Sequence, residues 1–304
     1  MVDITNTNDV YSMTSTAMIN GTGPGGRNGR MPTFVYLTDL DAWYIRLPED
    51  TTTTADGGLV ITDASGGRWL KVADGLFAEH MQRQRALFFD DFLGDTLKDE
   101  LQATAGGGTG NGVAISAGQG GRVAITTASD DGIITANASA LALGALDWRA
   151  DQGGLVIEAR LQIDDISEAY VFVGFTDVLP GSTLEAPVFL NGADIDSDAS
   201  NACGVFYDVD GTTEEWCHGG VKADADTTPA YSGAAPTEGA YQTVRVEVSA
   251  AGAVQGFIDG TAIGDAVADA VTVTTPLCPV IVVANRSANQ VVTLVDYMLV
   301  QGNR

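Results

Sequence analysis

The residues whose types and spacing could do chemistry crowd into one stretch, Asp208-Val-Asp-Gly-Thr-Thr-Glu-Glu-Trp-Cys-His218. Asp208, Asp210 and Glu214 are hard oxygen donors at loop-like spacing, the kind of set that calcium prefers. An Asp-Gly pair after a strand is also an ordinary turn, so both readings stand. Trp216 and His218 lie beside these carboxylates and offer what a sugar platform needs, an apolar face for stacking and polar groups for hydroxyls. The plainer alternative is a core tryptophan at a strand end. A second acidic run, Asp194-Ile-Asp-Ser-Asp198, alternates its carboxylates but puts Ala199 and Val205 where an EF-hand loop needs its glycine and its glutamate.

Catalytic constellations are harder to assemble. Glycoside hydrolysis uses two carboxyl groups on either side of the scissile bond, about 5–5.5 Å apart when configuration is retained. The strand spacing Glu-x-Asp-x-x-Glu that would deliver such a pair does not occur. Asp164-Asp165 and Glu214-Glu215 are adjacent pairs, and neighbours on a strand point to opposite faces. The same divergence separates Cys217 from His218, and the other histidine, His80, is remote in sequence. The expectation is therefore a protein that is not an enzyme, with no cofactor beyond calcium at Asp208, Asp210 and Glu214. The glycine runs Gly106–Gly112 and Gly118–Gly121 lack the lysine and the following helix of a phosphate loop and suit strand-joining turns.

Charge excludes other partners. The 304 residues carry 15 Lys+Arg against 40 Asp+Glu, a net charge of −25. Residues 86–304 hold eight of the basic and thirty of the acidic side chains. Nucleic acid, which binds through Lys and Arg at its phosphates, is not an expected partner. No apolar run approaches the roughly 20 residues of a membrane helix, and no basic-then-apolar leader follows Met1. The three cysteines, Cys203, Cys217 and Cys278, are too few and too scattered for a disulfide framework and predict buried free thiols.

The elements that must position these groups fall into four segments. Residues 1–30 are rich in Asn, Thr, Ser and Gly and cannot order themselves by burial, which predicts an extended anchoring arm held by a neighbouring subunit or partner. Arg27 and Arg30, the only basic residues there, could dock on an acidic partner surface or simply be solvated. Residues 31–75 read as a small β module of two hairpins, Thr33–Leu37 with Trp43–Leu47 and Leu59–Thr62 with Arg68–Val72. Residues 76–87 space Leu76, Phe77, His80, Met81, Gln84 and Leu87 near one helical face, predicting a connector helix. Residues 88–304 carry at least ten strand-like runs with glycine-rich turns, among them Gly132–Thr135. Several alternate cleanly, as in Val244-Arg-Val-Glu-Val248 and Val156–Ile163. Many strands without amphipathic helices between them predict an all-β antiparallel sandwich.

Four stretches of this body resemble the concanavalin A-like, laminin G-like jelly roll. Phe88-Phe-Asp-Asp-Phe-Leu-Gly-Asp95 resembles its opening strand, and Glu158–Ile163 with Tyr170-Val-Phe-Val-Gly-Phe-Thr-Asp177 its paired central strands. Tyr241–Val248 with Val254–Gly260 resembles a hairpin of that domain, and Pro279–Arg286 with Leu294–Val300 its closing strands. Ahead of it, Thr51–Val72, with its Ala-Asp-Gly-Gly run and Gly-Arg-Trp strand, resembles N-terminal segments of tailed-bacteriophage tail fibres and tailspikes. Together the resemblances imply a non-enzymatic structural protein on the virion surface, a capsid decoration, head fibre or tail fibre. They imply a homotrimer attached by its N-terminal region to other capsid or tail proteins. The alternative they leave open is a module that binds a host surface glycan, and after that a glycosidase.

Overall fold

The computed structural model describes residues 85–303, apart from 117–119, 130–133, 145 and 181–183, together with five short strands nearer the N-terminus. The chain divides into two compact units, Met1–Met81 and Gln82–Arg304.

The first unit is a five-stranded sheet. Phe34–Leu37 pairs antiparallel with Ala42–Leu47, which pairs with Arg68–Lys71, which in turn pairs with Val60–Thr62. These are the two expected hairpins. Val10–Met13 adds a parallel ladder to Phe34–Leu37. The arm expected to be held by another subunit is thus held in part by its own chain. The reason is that Val10-Tyr-Ser-Met13 is the one strand-like run in that polar segment, and its backbone groups find partners on an open sheet edge. Arg27 and Arg30 lie outside the described residues.

The second unit is an antiparallel jelly-roll sandwich of two large sheets. The connector helix is corrected at its C-terminal end: Arg85–Asp90 is a strand, paired with Met298–Asn303. Here Leu87 and Phe89 are exposed while Asp90 is buried, so period two wins over the helical stripe. Residues 76–84 lie outside the described residues. The run Gly132–Thr135 is also corrected, since Ile134–Asn137 forms a single helical turn.

One sheet, here called the covered sheet, orders its main strands Ala225–Asp226, Cys217–Lys222, Asn201–Asp208, Ala169–Thr176, Cys278–Asn285, Ser139–Leu143 and Leu101–Ala105. The other, the open sheet, orders Thr261–Ala262, Val254–Ile258, Tyr241–Val248, Leu155–Ile163, Val292–Asn303, Val123–Thr126 and Gly112–Ile115. Arg85–Asp90 pairs with the C-terminal half of Val292–Asn303. Alternate residues of both sheets, such as Ile157, Leu161, Val171, Val246, Ile281 and Val300, fill the layer between them.

The two outer faces differ. On the open sheet alternate positions reach solvent, as the sequence alternation predicts. On the covered sheet Ala169–Thr176, Asn201–Asp208 and Cys278–Asn285 are buried at every position. The segment around Leu184–Ala199 lies across them and builds a second apolar layer with Tyr170, Phe172, Phe206 and Val282. Three hydrogen-bond sites fix that segment. Tyr170 Oη donates to the Val188 carbonyl at 2.6 Å, Leu190 N–H donates to Asp208 Oδ2 at 2.9 Å, and Ala186 N–H donates to Asp198 Oδ2 at 3.0 Å. Close packing also demands glycine: Gly174 and Gly204 face each other across the ladder, and a Cβ on Gly204 would lie 2.5 Å from the Val173 carbonyl oxygen.

Candidate functional site

The sequence-predicted cluster does not assemble into a binding site. Asp208 is fully buried, and its carboxylate takes two bonds from Arg286, with Nε at 2.8 Å, as well as the backbone N–H groups of Leu190 and Asp210. Burial pushes the Asp208 carboxyl above its ordinary value against the opposing pull of Arg286. Burial likewise opposes the Arg286 charge, but the Asp208 bond outweighs it and raises the guanidinium further. With every donor aimed at carboxylate oxygens, the pair is ionic at neutral pH and its oxygens are already occupied. Asp210 lies on its exposed rim, 3.5 Å from Arg286 Nε, and Glu214 is exposed. Among the described residues no group of three or more His, Cys, Asp or Glu converges as metal ligands.

Trp216 is a core residue rather than a platform. It is 1% exposed, packs edge-on to Tyr207 at 6.0 Å between centroids, and donates Nε1–H to Gln242 Oε1 at 3.3 Å. His218 is fully buried between the sheets, with Val205, Gly256 and Ile263 around it. Neither ring nitrogen has a well-formed hydrogen bond, and burial lowers its pKa to about 4 in spite of a contact with the Asp265 backbone. The cysteines are buried free thiols, with burial raising Cys203 and Cys278 to about 12.

A different tryptophan opens onto a cleft. Trp148 sits in the loop between Leu143 and Leu155, where its backbone makes a two-way bridge to Leu277, with hydrogen bonds of 3.1 and 2.7 Å. That bridge ties the loop to the strand Cys278–Asn285 and fixes where the indole projects. The ring lies against the Cα of Gly302, where a Cβ would come within 3.0 Å of Cε3 and Cζ3. Glycine at this point is what lets the ring settle onto the end of the last strand.

The cleft beside it measures about 510 Å³ and is lined by Trp148 with Glu100, Asp147, Arg149, Gln152 and Asn303 among others. Arg149 is held in an ion pair with Asp151. The helical turn Ala150–Gln152 and the glycine pair that follows, with φ of +121° at Gly153 and +93° at Gly154, turn the chain sharply into Leu155–Ile163. Gly153 also accepts the Asn303 amide through its carbonyl at 3.2 Å. The result is an indole edged by two carboxylates, a guanidinium and two amides, an arrangement that suits a polyhydroxylated ligand: stacking for its apolar face, and acceptors and donors for its hydroxyls.

The sequence held a signal for this site. Asp147-Trp-Arg149 is a tryptophan between charged residues in a stretch without strand alternation, the same kind of signal that drew attention to Trp216. What it lacked was any indication of which indole lines a cleft.

No protein-family model and no curated protein sequence matches the chain. Solved structures do. The carbohydrate recognition domain of Emp47p is similar at 11% identity and a TM-score of 0.47, over 73% of this chain and 97% of that one. An endo-1,3-beta-glucanase from Streptomyces sioyaensis is similar at 14% identity and a TM-score of 0.43, over 72% and 96%. An endo-acting O-glycanase of the human gut microbiota is similar at 9% identity and a TM-score of 0.48, over 70% and 97%. These neighbours are carbohydrate-binding and glycan-acting jelly rolls. The expectation that the chain is not an enzyme is corrected by the two glycan hydrolases among them, because a missing strand motif does not separate catalytic from non-catalytic bearers of this sandwich.

Proposed function

We propose that the jelly roll binds a glycan, with Trp148 as the stacking platform and Glu100, Asp147, Gln152 and Asn303 as hydrogen-bonding partners. The observation that carries this reading is the half-buried Trp148 lining a cleft of about 510 Å³ edged by carboxylates and amides. In the same reading the N-terminal unit is the attachment device. The resemblance of Thr51–Val72 to tail-fibre and tailspike segments supports a place on a tailed-phage virion, as a homotrimer bound to capsid or tail proteins.

The test is calorimetric binding of the full chain to a panel of host-surface and plant oligosaccharides. Trp148→Ala is expected to weaken binding roughly thirtyfold, about 2 kcal/mol, with Trp148→Phe retaining most of it. Binding untouched by Trp148→Ala, or no binding to any member of the panel, refutes the reading. Following the same mixtures for new reducing ends reads whether Glu100 and Asp147 also cleave the glycan that they hold. Light scattering of the full chain reads the trimer.

A further inference from the structure

A second cleft adjoins the first. It measures about 360 Å³ and shares Leu155 and Asn303 with the Trp148 cleft. From that junction it extends over the outer face of the open sheet. Its floor is a cross-strand row in register, Gln255 opposite Glu247, Glu247 opposite Val156, and Val156 opposite Gln301. Residues directly opposite on antiparallel strands lie about 4.5–5.5 Å apart, so the row is a continuous cross-strand track in which the apolar Val156 lies between the Glu247 carboxylate and the Gln301 amide. Asn303 stands between the clefts with its amide fixed by the Gly153 carbonyl. Gly153 is what allows this, since a Cβ there would lie 2.2 Å from Asn303 Nδ2.

Two observations limit what could lie in such a track. The first is size. Each cleft falls within the roughly 300–1,000 Å³ of sites that bury a drug-sized ligand, so the pair outruns a single sugar ring. The second is charge. Residues 86–304 carry eight basic against thirty acidic side chains. Lys98, Arg149, Arg160, Lys222, Arg245 and Arg286 are each paired with a carboxylate of this chain. Arg245, next to the track, is shared between Glu158 and Glu247. An anionic polymer would meet Glu100, Asp147 and Glu247 with those cations already committed.

We infer that the two clefts form one groove that takes a linear, uncharged glycan across several consecutive sugar residues, the junction lying at Asn303. This rests on the reading of Trp148 as a sugar platform.

Calorimetry with neutral gluco-, manno- and N-acetylglucosamine oligosaccharides, from disaccharide to hexasaccharide, tests it on the full chain, with oligogalacturonates as the charged series. Affinity is expected to climb roughly tenfold or more with length in at least one neutral series. Gln301→Ala should flatten that climb while leaving the disaccharide within about twofold of wild type, and oligogalacturonates should bind at least about tenfold more weakly. Length-independent binding that still needs Trp148 overturns the extended groove and leaves the platform intact. Preference for oligogalacturonates overturns the uncharged ligand. Absence of binding in every series overturns groove and platform together.

Discussion

His218 makes stability depend on pH in a window that most of the protein's other groups leave alone. It is fully buried between the sheets, and its pKa falls from 6.5 to about 4 because burial disfavours the imidazolium. The unfolded chain therefore binds a proton more readily than the folded one, and stability is lost as pH falls from the unfolded value toward the folded one. The full shift corresponds to about 3 kcal/mol. By pH 5, where the unfolded histidine is almost wholly protonated and the folded one is not, about 2 kcal/mol of it is gone relative to pH 7.5. Ordinary carboxylates titrate mostly below that window.

The measurement is denaturant unfolding of wild type and His218→Leu at about pH 7.5 and about pH 5, followed by the fluorescence of Trp216 and its neighbours. Leucine has no proton to take up and fills a site where neither ring nitrogen has a well-formed hydrogen bond, so at neutral pH the variant should match or exceed wild type. The wild type should lose about 2 kcal/mol more than the variant on acidification. Carboxylates common to both proteins cancel in that difference. Parallel pH dependence in the two proteins refutes the reasoning, because it would mean that the buried imidazole accepts a proton as readily as a solvated one.

Two further outcomes test the packing of the covered sheet. Asp208→Ala leaves the Arg286 guanidinium buried without its partner and strips the Leu190 N–H of its acceptor, so unfolding free energy should fall by about 3–5 kcal/mol, with Asp208→Leu/Arg286→Met recovering much of it. A single-mutant loss below about 1 kcal/mol in denaturant titration would contradict the ionic pairing. Gly204→Ala places a Cβ 2.5 Å from the Val173 carbonyl oxygen and 2.7 Å from Phe172 Cε2. Backbone cannot yield as a side-chain tip can, so a loss of about 1–3 kcal/mol and a melting temperature lower by several degrees are expected, and an unchanged melt would mean that the ladder has more slack than this.

The alternating runs foretold the open sheet because period two is a local property: with one face buried and one wet, Val244-Arg-Val-Glu-Val248 and Val156–Ile163 declare their inward and outward positions residue by residue. The covered sheet was only partly legible. Tyr170-Val-Phe-Val173 and Pro279–Ala284 read as strands from their apolar runs, but Ser139-Ala-Leu-Ala-Leu143 and Cys217–Lys222 gave no alternation, because both of their faces are buried. The helical stripe misled at its C-terminal end, residues 85–87, for a related reason. A few apolar residues fit two periods, and pairing with Met298–Asn303, more than two hundred residues away in sequence, decided between them.

The same division runs through the candidate site. Sequence alone determined which residue types were available: few cations, an excess of carboxylates, three lone cysteines, and tryptophans beside charged residues. Burial depends on what the rest of the chain lays over a residue, and no window of neighbours contains that. Gln242 and Tyr207 close around Trp216, Arg286 reaches Asp208 across 78 positions, and Gly302 leaves room at the end of the last strand for the Trp148 ring, which stays only half-buried at the edge of a cleft. Which of two similar tryptophans lines a cleft was therefore decided only by the tertiary structure, because burial is set by long-range packing and not by the identity of adjacent side chains.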